Sequence, residues 1–99
     1  MENIIVICEN EICGKKLKDE ANNLGFNLEF EIQIESNIIN EISEQKIKDA
    51  SAVLFVIDKG IEEINKIERF IDVEYYEVEP SIAITSPNQV IGEIISDIK

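Results

Sequence analysis

Histidine and tryptophan are absent from this 99-residue chain, and Lys and Arg together number 9 against 21 Asp and Glu. The first absence excludes His-based acid–base catalysis, His-ligated metals and a phosphohistidine on this chain. The shortage of bases leaves a net charge of −12. Such a polyanion is repelled by nucleic acid and by anionic membrane surfaces, so no nucleic-acid partner is expected. Long apolar runs are missing too. None approaches the ~18 residues of a membrane span, and direct membrane insertion is not expected. The first residues carry neither the basic segment nor the apolar core of a signal peptide. The two cysteines, Cys8 and Cys13, are spaced C-x4-C, which fits neither a zinc ribbon nor a redox C-x-x-C. These features predict a reduced, cytoplasmic protein with unjoined thiols and no metal or cofactor. Its excess acid serves solubility and would favour a basic partner over an acidic one.

What is present reads as one α/β domain over residues 1–99. Ile4 to Cys8 is a continuous apolar run, the pattern of a buried parallel strand. Cys13, Leu17, Ala21 and Leu24 follow at near-helical spacing, and Gly25 ends that helix. In residues 26–33, Phe26, Leu28, Phe30 and Ile32 alternate with Asn27, Glu29, Glu31 and Gln33, which predicts a half-exposed strand at an edge. Ser43 is placed to cap a short helix over 44–50, with Ile42 and Ile47 as its hydrophobic staple. "AVLFVI" (52–57) predicts the central strand. The turn Asp58-Lys59-Gly60 leads to a helix marked by Ile61, Ile64, Ile67 and Ile71, and "VEYYEV" (73–78) to a fourth strand. Ser86, Pro87 and Gln89 carry the signature of a capping box opening a last helix, with Val90, Ile91, Ile94, Ile95 and Ile98 as its buried stripe. Right-handed crossovers then give an open, doubly wound sheet of four parallel strands, order 2-1-3-4, with helices on both faces.

That topology reverses direction between strands 1 and 3, and a ligand site is expected beyond their carboxyl ends. The segments reaching it are residues 8–14, 33–40 and 58–60. Two readings of Cys8 stand. It is the last core residue of its strand, or a nucleophile whose thiolate is stabilised by the following helix N-terminus. Glu9 and Glu11 oppose the second reading, since nearby negative charge raises a thiol's pKa and repels phosphate. Cys13 has core spacing. Gly14-Lys15-Lys16 lacks the upstream glycine and the hydroxyl residue of a phosphate-binding P-loop. Gly14 stands where the arginine of a phosphatase C-x5-R would belong. Asp58 ends the central strand on the functional side, and Gln33 and Asn40 are polar residues near the cleft.

The stretch "FEIQIESNIINEISEQKIKDASAVLFVID" resembles the fructose-type enzyme IIB domain of the bacterial sugar phosphotransferase system (PTS). That family's run is approximately V-E-T-Q-G-S-x-G-x-x-N-x-L-T-x-x-D-I-x-x-A-D-x-V-I-x-A-x-D. Glu31, Gln33, Asn40, Ile47, Ala50, Val53 and Asp58 coincide with it without a gap. "IERFIDVEYYEV" is similar to the family's L-x-R-F-x-G-K-P-V-Y-E-V through Arg69, Phe70, Tyr76, Glu77 and Val78, and Pro87 and Val90 match its last helix.

The resemblance implies a phosphoryl carrier. A cysteine at the end of the first strand accepts phosphate from a phosphohistidine on enzyme IIA and passes it to a sugar at the membrane component, enzyme IIC. On this chain that cysteine is Cys8, followed by a phosphate loop of Glu9, Asn10, Glu11, Ile12, Cys13 and Gly14. The family's C-P-T-G-x-A-H-T signature is not there: "CENEICG" is about five residues shorter and spells none of it. The family's Q-G-S reads Gln33-Ile34-Glu35. Both departures fall where phosphate would sit. The alternative implied is therefore an enzyme IIB-like scaffold that has lost phosphotransfer and serves as a binding or regulatory module.

Overall fold

The computed structural model describes residues 2–98. Strand β1 (Asn3–Cys8) is followed by helix α1 (Glu11–Asn23), strand β2 (Asn27–Ile34), strand β3 (Asn37–Ile39), helix α2 (Glu44–Asp49) and strand β4 (Ala52–Val56). Two 3-10 turns (Ile61–Glu63, Ile67–Phe70) lead to strand β5 (Tyr76–Val78), helix α3 (Pro80–Thr85) and helix α4 (Pro87–Ile98). All five strands form one sheet in the order β3-β2-β1-β4-β5. β1 is the middle strand and β4, expected there, lies beside it; both are internal because their unbroken apolar runs bury side chains on both faces. β2, β1, β4 and β5 run parallel, with Ile4 opposite both Leu28 and Ala52, and Leu54 opposite Tyr76. Each fully buried Ile, Leu or Phe in such a sheet contributes roughly 1.5–3 kcal/mol relative to exposure.

The expected four-stranded, all-parallel sheet is corrected to a mixed sheet of five strands. β3 turns back after Glu35-Ser36 and pairs antiparallel with β2, Ile34 opposite Asn37. Glu35 makes this turn in the left-handed region (φ 57), and Asn40 leaves the strand likewise (φ 60). Neither residue pair carries the Asn-Gly signature by which a tight hairpin is read from sequence. β3 therefore takes the edge that had been assigned to β2.

In the four parallel strands, even-numbered residues face α1, α3 and α4, where Cys8, Cys13, Leu17, Leu28, Leu54, Ala83, Ile91 and Ile94 share one core. Odd-numbered residues face α2 and the 3-10 turns, where Ile5, Ile7, Ile47, Phe55, Ile64 and Phe70 form the second. In it Phe55 and Phe70 meet edge to face at 5.0 Å. Ser43 caps α2, its hydroxyl accepting from Lys46 N–H at 3.3 Å, while Ile42 and Ile47 are both buried beside it.

Three further expectations change. The Ile-spaced segment 61–71 is two 3-10 turns and no α-helix, because Lys66 adopts a left-handed conformation (φ 57) between them. The fourth strand is confined to Tyr76–Val78. Asp72 turns the chain away (φ 66), leaving a cavity of about 390 Å³ between residues 71–74 and the amino end of β4. The last helix begins at Pro87, but Gln89 and Val90 N–H both donate to the Ser86 carbonyl, at 3.1 and 3.2 Å. Gln89 itself reaches forward to Glu93 at 3.4 Å, so the predicted capping box is replaced by a backbone-made junction with α3. Among the described residues no helix is long and apolar enough to cross a membrane.

Candidate functional site

Only Glu9 and Asn10 connect β1 to α1. Asn10 is extended (φ −152) and its Oδ1 accepts from Cys13 N–H at 2.9 Å, which starts the helix at Glu11, two residues before the apolar spacing suggested. Of the six loop residues read from the sequence, Glu11, Ile12, Cys13 and Gly14 thus form the first turn of α1. Glu11 pairs with Lys15 at 3.2 Å on an exposed surface, an interaction worth a few tenths of a kcal/mol. Ile12 is 58% exposed. Gly14 lies so close to β2 that a Cβ there would stand 2.3 Å from a ring carbon of Phe30.

Cys8 sits at the carboxyl end of β1, on the side packed by α1, with no solvent exposure. Its thiol donates toward the carbonyls of Asn10 (3.3 Å) and Glu31 (3.5 Å). Burial first, then the neighbouring Cys13 thiol, push its pKa up to about 12, against partial relief from backbone at Asn10 and Gly14. The sequence reading placed the cause in Glu9 and Glu11, but loss of water is the larger one. Cys13 is also buried, its thiol directed to the Pro80 carbonyl at 3.6 Å. Burial raises its pKa, Asn10 opposes this, and Glu9 and Asp58 add to the rise. Both thiols are free.

Glu9 bridges the crevice. Its Oε1 accepts from the Asp58 N–H at 2.9 Å, joining the end of β1 to the end of β4. A carboxylate of the chain itself therefore occupies a backbone donor at the switch point. Cys8, Glu9, Asn10, Cys13 and Asp58 are brought together here. Gln33 and Asn40 are not. Asn40 holds the β2–β3 hairpin, donating to the Phe30 carbonyl at 2.8 Å. Gln33 is buried on the opposite face of the sheet.

There Gln33 belongs to a polar network that the period-2 reading of β2 missed. Glu31 is fully buried and Arg69 is 6% exposed. The Arg69 guanidinium donates to both Glu31 oxygens, at 2.7 and 2.9 Å, and to the carbonyls of Ile42, Asn65 and Lys66. Glu31 also accepts from Gln33 Nε2 (2.7 Å) and Ile42 N–H (2.8 Å), and Gln33 Oε1 accepts from Asn65 N–H at 2.8 Å. Burial works to raise the Glu31 pKa, but the Arg69, Gln33 and Ile42 donors outweigh it and hold the carboxyl below its ordinary value. By gripping the Asn65 and Lys66 carbonyls, Arg69 fixes the left-handed break between the 3-10 turns. The sequence signal was Arg69 itself, a lone guanidinium flanked by Ile67, Phe70 and Ile71. Among the described residues no cluster of three Cys, Asp or Glu is placed to hold a metal.

No protein-family model matches the sequence, and no curated protein does. Solved structures do match. A domain of the fructose-specific IIABC component of the PTS from Borrelia burgdorferi is 28% identical with a TM-score of 0.80, over 96% of this chain and 94% of that one. The enzyme IIB subunit of a PTS from Escherichia coli is 22% identical with a TM-score of 0.80, over 99% and 95% of the two chains. A predicted fructose-specific IIB from Escherichia coli reaches a TM-score of 0.85 at 14% identity, over 100% and 91%. The resemblance first seen in residues 26–58 thus extends over the whole described fold: the chain is built like the fructose-type enzyme IIB domains of the phosphotransferase system.

Proposed function

We propose that this chain is an enzyme IIB-like module of the fructose type that does not carry phosphate on Cys8 and acts by docking to a component of a sugar phosphotransferase system, enzyme IIA first among them. One observation carries the reading: the Cys8 thiol has no exposed surface and is spent on two backbone carbonyls. Phosphoryl transfer to a thiolate forms an S–P bond as the donor's N–P bond breaks, and the thiolate must approach the phosphorus in line. Here the thiol is neutral far above physiological pH, since its pKa is pushed up to about 12. The connection that would cradle the phosphate is two residues long, and one of them, Glu9, places a carboxylate on the Asp58 N–H.

The competing reading, a phosphoryl carrier that passes phosphate from enzyme IIA to a sugar at enzyme IIC, is favoured by one placement. Cys8 lies at the carboxyl end of β1, two residues before the N-cap Asn10 of α1, at the switch point of the sheet. Incubation with a phosphorylated enzyme IIA, read by intact mass, separates the two. The docking module forms a complex with enzyme IIA by calorimetry and gains no mass. A phosphate-sized gain that is lost in Cys8→Ser establishes the carrier.

A further inference from the structure

β5 is the terminal strand of the sheet. It pairs with β4, and among the described residues no strand pairs with its other side. A free strand edge presents backbone N–H and C=O groups to any segment that matches them. The surface beside this edge is hollowed. A cavity of about 140 Å³ lies between β5 and α4, walled by Leu54, Tyr76, Val78, Val90 and Ile94 and bordered by Glu93 and Asp97. A second depression, about 190 Å³, runs past Ile57, Glu77, Val78 and Glu79. The two share Glu77 and Val78, so together they make a trough along the strand. Tyr76 and Val78 face α4 opposite the buried Leu54 and Val56, yet α4 leaves both half-covered.

Charge selects the occupant. From Phe70 to Ile98 the chain carries Asp72, Glu74, Glu77, Glu79, Glu93 and Asp97 and no Lys or Arg. Among the described residues the ion pairs are Glu11–Lys15, Glu29–Lys46, Glu44–Lys48, Glu41–Lys66 and Glu31–Arg69, none of which involves these six acids. A second copy paired antiparallel along β5 would set Glu77 against the Glu77 or Glu79 of its partner, and like charges facing across strands are destabilising. An extended partner with apolar side chains on one face and bases on the other avoids this repulsion.

We propose that the trough between β5 and α4 is a docking surface for a basic, extended segment of another protein, which adds a strand to β5. Its alternate apolar side chains enter the hollow against Tyr76, Val78, Val90 and Ile94. Its Lys or Arg residues lie on the other face beside Glu77, and Glu93 and Asp97 at the rim of the hollow add longer-range attraction. The surface is formed without Cys8 or the β1–α1 connection, so it stands whether or not the chain carries phosphate.

The test is an amide-resolved NMR titration of the full chain with an end-blocked octapeptide of alternating valine and lysine. Controls are the valine–glutamate peptide of equal length and tetralysine. Shifts are expected at residues 54, 76–79 and 90–97, with neither control reproducing them. The double charge reversal Glu93→Lys/Asp97→Lys, at exposed positions of α4, should weaken binding ~10-fold or more. No binding at millimolar peptide, shifts scattered over the acidic surface, tetralysine acting as strongly as the peptide, or unchanged binding by the double reversal each overturns the proposal. So does a homodimer in sedimentation that protects the amides of residues 76–79.

Discussion

Arg69→Met removes the guanidinium that neutralises a carboxylate with no solvent exposure, and the consequence can be worked through from the geometry. Glu31 keeps its bonds from Gln33 and from the Ile42 N–H, but loses two charged donors at 2.7 and 2.9 Å. The carbonyls of Ile42 and Lys66 lose the Arg69 donor as well. Breaking a buried pair from one side costs about 3–5 kcal/mol, against a total stability of about 5–15 kcal/mol for a domain of this size. The pH dependence should also reverse. In the unmodified protein the Glu31 pKa is depressed, so its contribution is fully present above the unfolded carboxylate value of ~4.3 and is lost only as pH falls through the lower folded pKa. In Arg69→Met the unpaired, buried carboxyl titrates above its unfolded value. The folded state then binds the extra proton, and the variant gains up to ~1.4 kcal/mol per pH unit as pH falls between the two values. Urea denaturation at pH 8 and pH 5.5 reads this on the safe side of the pI of about 4.2. A variant within ~1 kcal/mol of the parent at pH 8, or one no more stable at pH 5.5 than at pH 8, would refute the reasoning. Glu31→Leu/Arg69→Met should recover part of the loss, because no buried charge remains.

Other consequences are smaller in scope. Iodoacetamide should alkylate Cys8 in the native protein orders of magnitude more slowly than in urea, since a thiol with a pKa of about 12 is almost wholly protonated at pH 8; equal rates would show the thiol to be accessible. That raised pKa stabilises the fold below the unfolded thiol value of ~8.5 and is lost as pH climbs toward 12, so the parent should weaken in mild alkali and Cys8→Ala should weaken less steeply. Gly14→Ala, which at an ordinary helix position would stabilise by ~1 kcal/mol, should instead destabilise by about 1–3 kcal/mol, because the new methyl meets the Phe30 ring at 2.3 Å; a raised denaturation midpoint would mean that the ring moves aside freely. Ser86→Ala should cost under ~0.5 kcal/mol, below the ~1 kcal/mol of a lost hydroxyl cap, because the Ser86 carbonyl receives the Gln89 and Val90 amides.

Continuous apolar runs and helical spacing made β1, β4, α1 and α4 legible from the chain, because each pattern is local and buries a face whatever its neighbours do. β3 was not legible: three residues after a Glu-Ser turn carry no periodicity. The helix predicted over 61–71 failed for a nonlocal reason. Its isoleucines have the right spacing, but Lys66 is held left-handed by an arginine whose partner lies 38 positions earlier in the chain. The same pairing buried the second half of β2's polar side, Glu31 and Gln33, while Asn27 and Glu29 stay at the surface. At the switch point the burial of Cys8 and the direction of its pKa were legible from the continuous apolar run and the acids after it; the main cause, loss of water under α1, was not.

The residues that carried the family resemblance show what kind of information it held. Glu31, Gln33 and Arg69 are the buried network that fixes the second face, and Asn40 ends the hairpin strand in a left-handed conformation. Ile47, Val53 and Phe70 are core. Tyr76 and Val78 line the α4 side of β5. Asp58 alone touches the crevice, and it does so through its backbone N–H. The matched positions therefore build the scaffold. The two segments that differ, Glu9–Gly14 and Ile34–Glu35, are the ones where the resemblance places a transferred phosphate. A thiol phosphorylated in turnover needs exposure and local positive potential. In this chain the turn after Cys8 closes over the thiol and sets the Glu9 carboxylate on the Asp58 amide across the crevice. On the proposed reading, fold stability rests on residues other than those phosphotransfer would need, so the scaffold persists without it.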